Sequence, residues 1–403
     1  MLTPAYLAGV ATEVVEVYAA VEQEIVNDIV KRTIRTGFIS EYSMWQIQKA
    51  KEFGMFQQGV QNLLDKSLKS SSSEVKLIVA QASKDALAFD DSIYKAAGLM
   101  PLPISKSPAL QALVLQGADS TAQLLSNLTK TTSIEAYDAF QSTLDKSFIK
   151  ILSGAYSPQT AIHAAIKELA SGGLERVAYQ ARNGNVHYES MESAVRRAVT
   201  TGVNQATARL QLARAEDMGC DLVEVTAHAG ARPSHAVWQG KVYAVGGGRN
   251  SEYPDFEDST GYGTGEGLCG WNCYHSFYPY FEGLSTRAFS ADPAADYGRD
   301  NDEEYEEQQK QRYYERGIRA AKREVVTWEE AAKAAKASQK ESVANDAYAE
   351  FQRASVKLKR REAALTEFLD KTGRTRERDR EQTGKWNRSV SAKAVWANRK
   401  ATQ

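Results

Sequence analysis

The stretch DLVEVTAHAGARPSHAVWQGKVY, Asp221–Tyr243, is where the chain changes character. Before it, apolar residues recur at helical spacing; within it, Leu222-Val-Glu-Val-Thr226 has the β-branched composition of a short strand, and Val237–Val245 offers a second. After it, Gly246–Gly270 is crowded with glycine. Nine aromatics (Tyr253, Phe256, Tyr262, Trp271, Tyr274, Phe277, Tyr278, Tyr280, Phe281) then alternate with turn residues up to Gly283. These features predict a compact, loop-rich domain with short strands.

Upstream the periodicity is that of helices. Val14, Val17, Tyr18, Val21, Ile25 and Ile29 share one face of an amphipathic helix over Ala11–Lys31. A second helix is expected over Glu41–Leu68. The serines Ser70–Ser73 before Glu74 read as the N-cap of a third, reaching Ala97. Pro101, Pro103 and Pro108 mark a bend, followed by helices over Pro108–Leu128 and Ser133–Leu152. Ser157-Pro158 opens another with a serine cap and a proline in the first turn. Ser190–Met218 forms the last helix before the strand.

Downstream, Asp292–Glu307 holds eight acidic residues and one arginine, a solvated linker or helix start. Gln308–Asp370 is rich in Ala, Glu, Lys and Arg and predicts long, exposed helices. Lys357–Gln403 carries fourteen basic residues against six acidic, with Gly373 and Gly384 leaving the end open to disorder. The fold class is therefore mainly α with a small α+β domain. The expected division is an N-terminal helical domain over 1–155, a helical connector over 156–220, the small domain over 221–290 and a charged helical tail over 291–403.

The 403 residues carry a formal net charge of -1, which argues against a protein that coats nucleic acid uniformly. No apolar run is long enough for a membrane helix, and the first residues lack the pattern of a signal peptide. Cys220, Cys269 and Cys273 are too few and too odd in number for a disulfide framework, which fits synthesis in a reducing cytoplasm.

One constellation carries the functional reading: His228, Arg232, Pro233, His235, Trp238, Gly240 and Tyr243, then Gly261-Tyr-Gly-Thr-Gly265, then Cys269-Gly-Trp271-Asn-Cys273-Tyr-His275. Over roughly Thr200–Gly283 this order resembles the phage minor capsid protein 2 family of Gram-positive phages and prophages, and more distantly the Mu F-like head morphogenesis proteins. The resemblance implies a structural, low-copy head protein of the virion, made in the bacterial cytoplasm and assembled near the portal or inside the capsid. It implies the portal protein and/or the major capsid protein as partners. Some relatives of this domain are fused to toxins; the helical, charged sequence after Phe289 argues against such a cargo here. Self-association is compatible with the same reading.

The same residues offer other chemistries. Cys269, Cys273, His275 and either His228 or His235 offer thiolate and imidazole donors of the kind zinc takes. Their spacing matches no familiar zinc module, so the expectation is no metal, with Trp271 and Phe277 supplying a core and the histidines bonding loop carbonyls. His235 with Cys273 could form a nucleophilic thiolate–imidazole pair, which sets a processing or effector enzyme as the alternative function. No oxyanion hole or orienting carboxylate is legible, so a non-enzyme is expected. Arg232 reads as a structural clamp presented by Pro233. The glycine runs lack a Walker lysine and are loop glycines. In the tail, Arg374, Arg376, Arg378, Arg380, Lys385 and Arg388 are the candidates for salt-sensitive, sequence-independent contact with packaged double-stranded DNA.

Overall fold

The computed structural model describes residues 1–174, 177–180, 186–246, 252–290 and 298–401. In chain order the main elements are α1 (Pro4–Gly9), α2 (Thr12–Thr36), α3 (Tyr42–Ala96), α4 (Pro108–Leu152), α5 (Pro158–Gly172), β1 (Val177–Gln180), β2 (Val186–Glu189), α6 (Met191–Asp217) and β3 (Leu222–Val225). There follow α7 (Pro233–Ala236), β4 (Val242–Ala244), α8 (Phe256–Thr260), β5 (Phe277–Pro279), α9 (Asn301–Ala337), α10 (Glu341–Thr372) and α11 (Arg388–Ala401). The chain is thus mainly helical with a small sheet. Among the described residues, no helix is long and apolar enough to cross a membrane.

Two boundaries expected from local signals are absent. The serines Ser70–Ser73 lie inside the continuous helix α3 instead of capping a new one. Ser71 is buried there, and the nearby Ser67 hydroxyl donates to the Leu63 carbonyl at 2.8 Å, a back-bond that lets serine stay in a helix. The Leu128–Ser133 break is likewise missing from α4, where Thr132 donates to the Leu128 carbonyl in the same way. The cap of α5 is as the sequence predicts: Ser157 Oγ accepts from Thr160 N at 3.2 Å, with Pro158 opening the helix. The expected strand over Val237–Val245 shortens to β4, and the segment before it winds into the turn α7.

The chain forms two compact units, each gathered from three separated segments rather than from consecutive blocks. The first holds Met1–Val14, Ser70–Asn127 and Val195–Gln309. In it, β3 is the central strand of an antiparallel sheet ordered β4-β3-β5, with Val223 opposite Tyr243 on one side and Pro279 on the other. Helices α4 and α6 pack closely here because Gly202 leaves room for the Thr121 side chain, where any Cβ would fall within 2.3 Å of its hydroxyl. A second, two-stranded antiparallel pairing joins β1 and β2 in the other unit.

That other unit holds Val15–Lys69, Leu128–Ala194 and Lys310–Gln403. Its core joins Val21, Ile25 and Ile29 of α2 to Phe56 of α3, Phe140 of α4 and Ile162 of α5. The rings of Trp45 and Phe148 stack at 4.1 Å, and those of Phe56 and Phe140 at 4.8 Å. The charged C-terminal helices complete this core instead of standing exposed. Val325 and Trp328 of α9, Phe351, Leu358 and Leu365 of α10 and Val390 of α11 all belong to it. A charge-rich average had hidden a 3.6-residue apolar stripe in α10. Gly373 ends α10 as its left-handed C-cap, and α11 follows as an ordered helix.

Buried Asp90 gives the first unit a pH dependence. Its carboxylate accepts from Gln211 Nε2 at 2.9 Å, but burial dominates and pushes its pKa from 3.8 up to about 7. A folded-state pKa raised above the unfolded value means stability that is complete below 3.8 and lost as pH rises through 7, at up to about 1.4 kcal/mol per pH unit. Asp90→Asn should therefore be more stable than the wild type at pH 8, with the gap shrinking toward pH 4. Paired urea melts of the two proteins at several pH values check this.

Candidate functional site

The motif residues converge in the first unit, around the end of β3 and the loop that precedes β5. Pro233 opens α7, and this short turn carries the buried His235. The ring of His235 lies against Trp238 at 4.5 Å, and Trp238 meets the His275 ring edge-on at 4.8 Å. Tyr243 Oη donates to the Trp238 carbonyl at 2.8 Å, which ties β4 to this turn. Gly240 adopts a left-handed φ of 66°, and a Cβ there would lie 3.0 Å from the Ser290 carbonyl and 3.3 Å from Ala227, so only glycine fits without strain.

At the centre are Cys273, His235 and His275, exposed by only 1%, 2% and 1%. Cys273 Sγ lies 3.8 Å from His235 Nδ1 and 3.6 Å from His275 Nδ1. Each imidazole is oriented from behind. His235 Nε2 is 2.8 Å from the Glu266 carbonyl, and His275 Nε2 is 2.9 Å from Gln239 Oε1. The His228 N–H also donates to Gln239 Oε1, at 3.1 Å, which fixes the amide with its oxygen toward His275. Asn204 of α6 anchors the loop by donating Nδ2 to the carbonyls of Cys273 and His275, both at 3.0 Å. The Asn272 N–H donates to Thr201 Oγ1 at 3.2 Å.

The electrostatics follow from burial. It lowers the His235 pKa to about 4 and that of His275 well below the ordinary 6.5, with Arg232 and His228 adding to both effects. Burial also pushes the Cys273 thiol up to about 11. The two rings are thus neutral and, by itself, the sulfur holds its proton at neutral pH. A thiol in that state is a poor nucleophile.

The sequence candidates separate on this geometry. His235, Cys273 and His275 come together. His228 stacks on His275 at 4.3 Å but turns its Nδ1 to the Ala229 carbonyl at 3.0 Å. Cys269 is buried at a left-handed φ of 58°, outside the three-residue cluster. Phe277 joins the core as expected, whereas Trp271 is 45% exposed and covers Gly265 instead. Gly261 and Gly263 are loop glycines with positive φ, and Gly247 and Gly248 lie outside the described residues. The roles of Asn204, Thr201, Gln239 and Glu224 are not legible in the sequence. Glu224 is fully buried and accepts from the N–H groups of Ala288 and Phe289 at 2.9 and 3.2 Å. Its only sequence signal was a carboxylate set between the valines of a strand.

The family model for phage minor capsid protein 2 matches residues 2–370, which takes in the whole cluster and most of both compact units. The chain belongs to the phage minor capsid protein 2 family. This minor capsid protein is also similar to a structural protein of Lactococcus phage LL-H, with 28% identity over 292 residues that cover 68% of this chain and 75% of the relative. A structural protein of Lactococcus phage mv4 is 41% identical over 73 residues, 17% of this chain and 53% of the relative. No solved structure matches.

Within this family member, Arg232 is a modest clamp. Its Nη2 donates to the Trp271 carbonyl at 2.8 Å, but the bond faces solvent. Arg232→Ala in the full chain should cost about 1 kcal/mol, the net worth of an ordinary hydrogen bond rather than of a buried ionic one. A change in melting temperature of a few degrees would agree, and a loss beyond 3 kcal/mol would mean the clamp bears more than this bond.

Proposed function

We propose that this minor capsid protein is a structural subunit of the phage head, held in the capsid interior beside the portal vertex and present in the mature particle. The family match over residues 2–370 carries the reading. The cluster geometry supports it over the enzyme alternative, because Cys273 and its two histidines are closed to solvent and Cys273 by itself keeps its proton. The portal protein or the major capsid protein are the partners this placement implies.

Contact with packaged DNA would fall to part of the basic segment. Arg374 donates to Gln311 Oε1, Arg376 is bidentate to Glu381 at 2.5 and 2.6 Å, and Arg380 pairs with Glu377. Arg378, Lys385 and Arg388 are exposed, although Lys385 lies 3.3 Å from Glu24. DNA contact therefore centres on these last three, as a weak and salt-sensitive interaction.

Quantitative mass spectrometry of purified mature virions and of procapsids tests the assignment. The expected result is the chain in both, at a copy number close to that of the portal subunit. Presence in procapsids with loss from mature virions would instead describe an assembly factor that departs.

A further inference from the structure

Cys273 and the two buried imidazoles beside it pose a proton-counting problem. The Glu266 carbonyl can only accept, so His235 Nε2 carries hydrogen and its Nδ1 is a bare lone pair. Gln239 Oε1 is already the acceptor for the His228 N–H, so His275 Nε2 also carries hydrogen and its Nδ1 is bare as well. Both lone pairs face Cys273 Sγ, at 3.8 and 3.6 Å. The thiol brings a single proton. Wherever that proton sits, one buried acceptor is left facing another lone pair, an arrangement that costs free energy in a site closed to water.

A cation resolves the conflict. One donor atom from each of His235, Cys273 and His275 lies within 4.8 Å of the other two. Around tetrahedral zinc, with Zn–S near 2.3 Å and Zn–N near 2.05 Å, a sulfur and a nitrogen ligand stand about 3.6 Å apart. The two measured S···N separations are close to that value. The outer shell is also in place, since each ligating ring would donate its far N–H to a carbonyl oxygen, as metal-bound histidines do.

We infer that Cys273 Sγ, His235 Nδ1 and His275 Nδ1 form three corners of a binding site for a zinc-like divalent cation. This reverses the expectation from spacing alone, which found no zinc module. Spacing missed it because His235 comes from α7, nearly forty residues before Cys273, while His228 and Cys269 stand outside the cluster. On binding, the thiol proton leaves to solvent and the thiolate takes its place on the metal, so affinity rises with pH. The mixed sulfur and imidazole donors favour zinc over magnesium or calcium. Such a site would fasten the loop before β5 to α7.

The test uses the full chain, purified without chelators or a histidine tag. Elemental analysis should find about one zinc per chain. The stripped protein should take up added cobalt(II) and show a thiolate-to-cobalt charge-transfer band. Cys273→Ser should lose the band and the zinc, whereas Cys220→Ser should keep both, because Cys220 packs elsewhere against the Leu222 carbonyl. Gln239→Leu should weaken metal affinity about 10- to 100-fold by freeing the His275 ring. Wild-type protein with less than a tenth of an equivalent of metal and no cobalt band would overturn the inference, whether or not the variants fold. Full metal retention in Cys273→Ser would overturn it too.

Discussion

Replacing Glu192 by alanine is expected to lower the stability of the protein by about 3–5 kcal/mol, the cost of breaking a buried ion pair from one side. Glu192 lies at the start of α6 and is buried. Its carboxylate receives Arg319 Nε at 3.1 Å, Arg323 Nη1 at 3.3 Å and Thr383 Oγ1 at 3.4 Å. It therefore ties α9 and the start of the C-terminal segment to α6. Its removal strands two guanidinium groups that are largely buried. A partial remedy is built in. Burial, opposed by Arg323, raises the Glu22 carboxyl to about 7, with the nearby Glu192 charge pushing the same way. Without Glu192, Glu22 ionises more readily and offsets part of the charge on Arg323. Glu192→Ala should thus be tolerated better than Glu22→Ala/Glu192→Ala. Hydrogen exchange should show the loss concentrated in α9, α10 and α11. A change under 1 kcal/mol would mean that solvent reaches the arginines.

The second large effect is expected at Asn204. Asn204→Leu removes the donor shared by the Cys273 and His275 carbonyls, leaving two buried acceptors at about 1–3 kcal/mol each. A total of about 2–6 kcal/mol should appear in urea melts of the full chain. Asn204→Asp keeps the size of the side chain but sets a carboxylate against two carbonyl oxygens, so it should be the worse of the two. Equal stability of Asn204→Asp and the wild type would show that another group holds the loop.

The parts that were legible are those where one residue type reports one local physical need. Ser157-Pro158 caps and opens α5 because a hydroxyl and a missing N–H suit the first turn of a helix. The β-branched residues of Leu222–Val225 form a strand, and the order of Arg232, His235, Gly240, Cys273 and His275 pointed to the family. Signals that depend on distant partners were not legible. Ser70–Ser73 looked like a cap but runs through α3, since a long helix tolerates serine where neighbouring segments pack on it. The burial of Phe351, Leu358 and Leu365 depends on α5 and α11, which pack against α10 and which no local window of sequence around α10 contains. The same holds for the two compact units, because α2, α3, α4, α6 and α9 each contribute residues to both. Within the site, Asn204 and Gln239 are ordinary polar residues until their hydrogen-bond partners are known. Trp271 has the composition of a core residue but lies over Gly265 as a half-exposed cover.

That discontinuity also bears on truncation. Removing Met1–Leu152 takes helices from both compact units, so such a chain should fail to fold rather than merely fail to dock. The proposed placement in the head is better tested on intact particles. The most direct measurement is a symmetry-relaxed cryo-EM reconstruction of the portal vertex, comparing wild-type heads with heads assembled without this chain. The expected result is difference density on the inner side of the vertex that accepts the long helices α3, α4 and α9. Difference density confined to the tail, or none inside the head although the chain is present in the virion, would contradict it.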